Sequence, residues 1–324
     1  MKALVCQSLE SGALSWQTVT DPDFDKGELL IAVKASSINF ADTLLVRGHY
    51  QIRLTPPFVP GMEVAGEVIA VGADVSGFAS GDRVAAVLPE FGGFAEQVAV
   101  SANSVFKLPE NLPLEVAACI PSVVATAYYG LVHRAALVAG ETVLVLGASG
   151  GVGMASISLA KKFGAKVIAA VSGDEKGFTA TQLGADHVIN YSQGELKQTV
   201  KDITNGAGVN IIVDPVGGEL TQQALRAIAW DGRHLVVGFA AGDIPEIATN
   251  ILLLKSATMM GVNFGGFSSK FDGPAKQICD HVVALLAGDH SLWPLISRRL
   301  PMSTFGSDLS SSPQSRPGKI VLSL

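Results

Sequence analysis

The sequence predicts an α/β protein built from two parts, a β-barrel-like unit and a doubly wound parallel sheet. Three observations carry this. Apolar residues alternate with a period of two near the N-terminus, as at Leu29, Ile31, Val33 and Ala35. After Pro121, short β-branched runs alternate with helical segments. A glycine-rich turn, Gly147-Ala148-Ser149-Gly150-Gly151-Val152-Gly153, separates one such run from the helix that follows it.

The 324 residues suffice for about two domains. Apolar residues make up 48% and charged residues 16%, well below the usual charged share of about 25%, which excludes a disordered chain. The net charge is −6 and no basic run exceeds a pair, so nucleic acid is not an expected partner. The longest uncharged stretch, 142–160, is broken by glycines and serines and is too polar for a membrane span. The N-terminus lacks the pattern of a secretory signal, and three widely spaced cysteines form neither a disulfide framework nor a CxxC knuckle. A cytoplasmic protein is the expectation.

Within the first part, runs at 63–70, 83–88 and 94–100 read as strands separated by turn clusters such as Ser80-Gly81-Asp82. Strands are then expected at 142–146, 166–171, 187–190, 209–214, 234–239 and 258–264. Helices are expected at 151–163, 174–183 and 220–230. Lys161 and Lys162 followed by Gly164 mark a helix C-terminus. Six such runs joined by crossovers imply a parallel, doubly wound sheet. Beyond it, a helix is expected around 275–287, a loop over the serine-rich 302–315, and a returning strand at 319–324.

Glycines in the 147–153 turn let the backbone approach a pyrophosphate, which the following helix N-terminus can bind through unpaired N–H groups. The end of the second strand selects the dinucleotide. An NAD site places an acid there for the ribose 2′-OH, whereas Val171, Ser172 and Gly173 stand here and Asp174 and Glu175 fall in the next helix. Ser172 can hydrogen-bond a 2′-phosphate and Lys176 can neutralise it, so NADPH is the expected cofactor. Asp214 and Val216 follow the fourth strand, whose carboxyl end faces the ligand crevice in this sheet type.

The sequence resembles the zinc-independent NADPH:quinone oxidoreductase family of the medium-chain dehydrogenase/reductase superfamily. The segments that carry the resemblance are SINFAD (37–42), RGHY (47–50), PFVPGMEVAG (57–66), GDRV (81–84), GGFAE (92–96), TAY (126–128), the glycine turn, LGAD (183–186), DPVGG (214–218), VGF (237–239) and GKIV (318–321). It implies a GroES-like β-barrel catalytic domain of residues 1–121 and 265–324. An inserted Rossmann domain of 122–264 carries the six-stranded sheet, with a cleft between the two. Zinc-dependent members of the superfamily bind the metal through Cys, His and Glu. Here Asn39 and Met62 stand at the first two positions and only Glu63 remains, so no zinc is expected.

Carried over residue by residue, the resemblance places Tyr191 beside the adenosine. Asn39, Thr126, Phe239 and the pair Asn263-Phe264 surround the nicotinamide end, and Gly238 is a further cofactor contact. Asn39, Asp42 and Tyr50 line the substrate side as catalytic candidates. Hydride transfer to a quinone leaves charge on an oxygen, for which Asn39 and Tyr50 are the available donors. Reduction of activated C=C bonds in enones, 2-alkenals or enoyl thioesters is the alternative, and an NADPH-regulated RNA-binding protein is an alternative of another class. The resemblance also implies a homodimer, formed through the last Rossmann strand as a covered edge.

Overall fold

The computed structural model describes residues 1–271, 273–305, 309 and 317–324. The chain divides into two compact units, 1–125 with 265–324 and 126–264, so the first break falls at 125/126 rather than at 121/122. Most of the serine-rich stretch expected as loop lies outside the described residues; its start, Met302–Thr304, is a short 3₁₀ turn. Among the described residues no helix is long and apolar enough to cross a membrane.

The unit formed by 126–264 is a six-stranded parallel sheet. Its spatial order is His187–Asn190, Lys166–Val171, Thr142–Val145, Val209–Asp214, Ile228–Val236 and Thr258–Gly261. Numbered along the chain this is 3-2-1-4-5-6, the order that places a switch point at the first strand. The strands are nearly continuous apolar runs because helices cover both faces. One face packs Leu144, Ile168, Ile212, Leu196, Val200 and Leu225 into a single core.

Two expected elements differ. The helix predicted over 220–230 ends at Leu225, and residues from Ile228 already form a strand. Val209 donates its N–H to Ala227 O and pairs with Ile228, so sheet pairing outweighs the helical pattern. The last strand stops at Gly261, and Phe264 begins a helix to Lys270. The helices Leu196–Ile203 and Asn250–Lys255 and the π-type turns of Ile120–Ala125 and Tyr129–Arg134 are additions that the sequence pattern does not predict.

The other unit centres on a seven-stranded sheet. Its long strand, Glu28–Ile38, is flanked by Glu63–Val71, Gln97–Ser101 and Lys319–Ser323, all antiparallel to it. Leu29, Ile31 and Val33 form one buried face with Val64, Val84 and Val98. The C-terminal strand thus returns beside the segment 35–38 and delivers Lys319 next to Ile38.

Candidate functional site

In the unit of 126–264, the strand Thr142–Val145 runs into Gly147, whose φ is +56°. Gly150 donates to Gly147 O at 2.9 Å, closing the turn, and the helix Gly151–Lys162 starts there. A Cβ on Gly153 would lie 2.4 Å from Gly147 O, so only glycine lets this turn of helix sit on the loop. The first-turn N–H groups at 151–153 have no carbonyl four residues back to bond. Ser149, Gly150, Gly151 and Val152 retain solvent exposure, so this end of the helix can receive an anion.

At the end of the second strand, Lys176 donates to Ser172 Oγ at 2.9 Å. Asp174, the first acid after Ser172 in the chain, accepts from Asn190 at 2.7 Å and from Gln193 at 3.4 Å. Tyr191, half-buried, packs on the core beside this corner and donates its N–H to Val171 O.

Asp214 is 2% exposed. Its Oδ1 accepts the N–H groups of Val216 and Gly217, both at 2.9 Å, and its Oδ2 accepts from Thr221 and pairs with His234 Nε2 at 3.0 Å. Burial pushes this carboxyl up, but the hydrogen bonds from His234, Gly217 and Thr221 outweigh it and hold it below the ordinary value. The carboxylate has no capacity left for a ligand; it shapes the turn that follows. Gly217 adopts φ +77°, which the turn requires. Val216 then meets the glycine loop, since a Cβ on Gly147 would be 2.8 Å from Val216 Cγ2. Phe239 meets the same turn at Gly217, and Ala240 and Ala241 donate to the carbonyls of Pro215 and Val216. Glycine loop, 214–217 turn and 238–241 segment therefore form one packed rim. Of the remaining residues expected here, Thr126 is half-buried and Asn263 exposed, while Phe264 is 4% exposed and packs on Tyr129.

In the other unit, Glu63 is fully buried and surrounded by donors. It accepts from the Ser37 hydroxyl, from Asn39 Nδ2 at 2.8 Å and from Ser122 N–H at 2.8 Å. Lys319, 4% exposed, lies 3.7 Å from Glu63 and donates to Asn39 Oδ1 at 2.6 Å and Ile38 O at 2.8 Å. Asn39 is held on both ends. Its amide nitrogen faces Glu63 and Ser37 O, so it is engaged inward rather than presented as a donor to substrate. Asp42 is also fully buried and caps the helix Phe40–Leu45, accepting the N–H groups of Asn39 and Gly61. Burial pushes its carboxyl up to about 7, against the pull of these N–H groups and of Lys319. Tyr50 is half-buried, edge-on to Phe91 at 6.5 Å; burial and the Asp42 charge raise its phenol, which keeps its proton and can donate it.

This donor set does not fit zinc. Asn39 and Met62 supply no strong ligand, and a lysine ammonium sits beside Glu63 where a cation would have to approach. Among the described residues no group of three His, Cys, Asp or Glu could hold a metal. Ser37 and Lys319 fall inside motifs of the resemblance, which gives them no role, and no motif covers Ser122, Thr221 or His234. A lysine inside the apolar run KIVLSL and a histidine inside HLVVGF are the signals that point to buried partners.

Residues 25–110 match the alcohol dehydrogenase GroES-like domain and residues 151–278 the zinc-binding dehydrogenase domain. The chain is 43% identical over 286 residues to the quinone oxidoreductase-like protein 2 of Rattus norvegicus, covering 86% of this chain and 81% of that one. It superposes on the quinone oxidoreductase of Thermus thermophilus, solved also with NADPH, with a TM-score of 0.83 at 30% identity over 100% of both chains. A 2-haloacrylate reductase structure matches with a TM-score of 0.86 at 26% identity, over 100% of this chain and 99% of that one.

Two outcomes follow from the buried charges. Lys319→Met should lower the unfolding free energy by about 3–5 kcal/mol, because it leaves a buried carboxylate unpaired, and adding Glu63→Gln should recover much of that loss. A urea-unfolding double-mutant cycle measures both; additive losses would show that the pair is not coupled. For Asp42, the folded chain keeps a proton that the unfolded chain releases between about pH 4 and 7, so stability should fall as pH rises through that window. Asp42→Asn should flatten that decline in thermal melts, and an unchanged slope would place the titration elsewhere.

Proposed function

Because this chain belongs to the quinone oxidoreductase family of the medium-chain dehydrogenase/reductase superfamily, we propose that it is an NADPH-dependent reductase that transfers a hydride to a quinone. The observation that carries the cofactor choice is the Ser172–Lys176 pair at the end of the second strand, with the Asp174 carboxylate engaged by Asn190 and Gln193. A 2′-phosphate brings negative charge to that corner, where a serine hydroxyl and a lysine ammonium would bind it. The NADPH-bound relative from Thermus thermophilus supports the same choice.

When bound, the nicotinamide supplies the hydride; the chain supplies position and charge. The N–H groups opening the helix Gly151–Lys162 hold the pyrophosphate, with Gly147 and Gly153 admitting close approach. Val216, packed on the glycine loop, would border the pyrophosphate, and Gly238 and Phe239 would wall the nicotinamide side with Thr126 and Asn263 as further contacts. Tyr50, kept protonated, is the donor for the developing oxyanion, and the Lys319–Asn39–Glu63 network fixes the backbone that carries Asp42 and Tyr50. The 2-haloacrylate reductase likeness favours a second reading, in which the acceptor is an activated C=C bond.

We also propose a homodimer. The strand Thr258–Gly261 closes the sheet with one described neighbour, and Leu253 and Leu254 on the preceding helix are 81% and 67% exposed. A second copy would pair that edge and cover those leucines.

In steady-state assays NADPH should exceed NADH by about tenfold or more in kcat/KM, and Lys176→Glu should erase the difference. An NADH preference in the native chain would defeat the cofactor reading. Turnover of 1,4-benzoquinone without turnover of 2-alkenals is expected; the opposite pattern selects the second reading. Light scattering should give twice the chain mass, and a Leu253→Glu, Leu254→Glu double variant half of that; a monomeric native chain would remove the dimer.

A further inference from the structure

His234 is a buried imidazole whose presence packing does not explain. It sits in the strand Ile228–Val236, fully buried, in register with Ile212 on one neighbouring strand and Met259 on the other. An aliphatic side chain would fill that layer with no polar atom to satisfy. The imidazole instead leaves Nδ1 without a hydrogen-bond partner among the described residues. Its other nitrogen faces Asp214 Oδ2 at 3.0 Å. That carboxylate offers only acceptors when ionised, so Nε2 carries the hydrogen and donates.

The bond matters because of what Asp214 holds on its other side. Oδ2 is fixed by two side chains, His234 from the adjacent strand and Thr221 from the helix Gly218–Leu225. Oδ1 is then aimed at the N–H groups of Val216 and Gly217. Those residues touch the glycine loop through Val216 and the 238–241 segment through Gly217. The carboxylate is a clamp with one jaw set by side chains and the other gripping backbone.

We propose that His234 is a positioning residue for dinucleotide binding: by donating Nε2–H to Asp214 it fixes the 215–217 turn against Gly147 and so sets the shape of the phosphate-binding rim. This rests on the cofactor reading above and extends it to a residue that touches no ligand itself. Thr221 completes the anchor. The effect falls on cofactor affinity, because the turn borders the nucleotide and not the reacting oxygen.

The experiment uses the full chain with His234→Leu, which removes the donor at similar volume, and His234→Gln, whose amide nitrogen can donate from a comparable position. Two readouts are taken. Amide hydrogen exchange at 215–218 is measured without ligand, and NADPH is titrated by fluorescence alongside steady-state kinetics. The leucine variant should exchange faster at Val216 and Gly217. Its Kd and KM for NADPH should rise about tenfold, with kcat and the quinone KM within about twofold of the native values. The glutamine variant should restore both readouts, which a merely structural defect in the strand would not allow. Unchanged exchange in the leucine variant overturns the clamp. Faster exchange with native NADPH affinity overturns its role in binding, as does failure of glutamine to rescue. If the native chain binds neither NADPH nor NADH, the cofactor reading falls and takes the binding role with it; the exchange data then separate that failure from a failure of the clamp.

Discussion

A carboxylate removed from water must be met by donors, and each of the two units is organised around one such obligation. In the unit of 126–264 it is Asp214, which gathers a histidine, a threonine and two backbone N–H groups. In the other it is Glu63, which gathers Ser37, Asn39, Ser122 and the Lys319 ammonium. The donors to Glu63 come from distant points in the sequence, and among those of Asp214 His234 comes from the adjacent strand. Meeting the obligation therefore ties together elements that the chain separates by many residues.

The consequences for chemistry differ between the two. Around Asp214 the constraint shapes a turn, and through Val216 and Gly217 that shape reaches the glycine loop and Phe239. Around Glu63 the constraint immobilises Asn39, while Tyr50 stays half-buried with its phenol protonated. A lysine ammonium stands beside Glu63, so the charge partner of that carboxylate is a side chain of the chain itself.

How much of this is legible in the sequence depends on the range of the interaction involved. The glycine loop is readable because its requirement is local: Gly147 and Gly153 are demanded by backbone shape within a few residues. The alternation in 29–35 and the runs at 142–146, 166–171 and 209–214 are readable because a strand's burial imposes a short period. The stretch 220–230 misleads because its apolar spacing suits a helix, while Ile228 pairs with Val209, a partner that local pattern does not reveal. The family resemblance puts Asp42 on the substrate side, yet its carboxylate is turned to the N–H groups of Asn39 and Gly61 and is closed to solvent.

The sequence by itself determined the doubly wound sheet, the glycine turn and the placing of Ser172 and Lys176 at the end of the second strand. Each of these follows from residues within one helix, one strand or one turn. Only the tertiary structure decided that Lys319 answers Glu63 and that His234 answers Asp214. Such pairings are set by which strands lie side by side, and a buried polar residue announces that it needs a partner without saying where in the chain that partner lies.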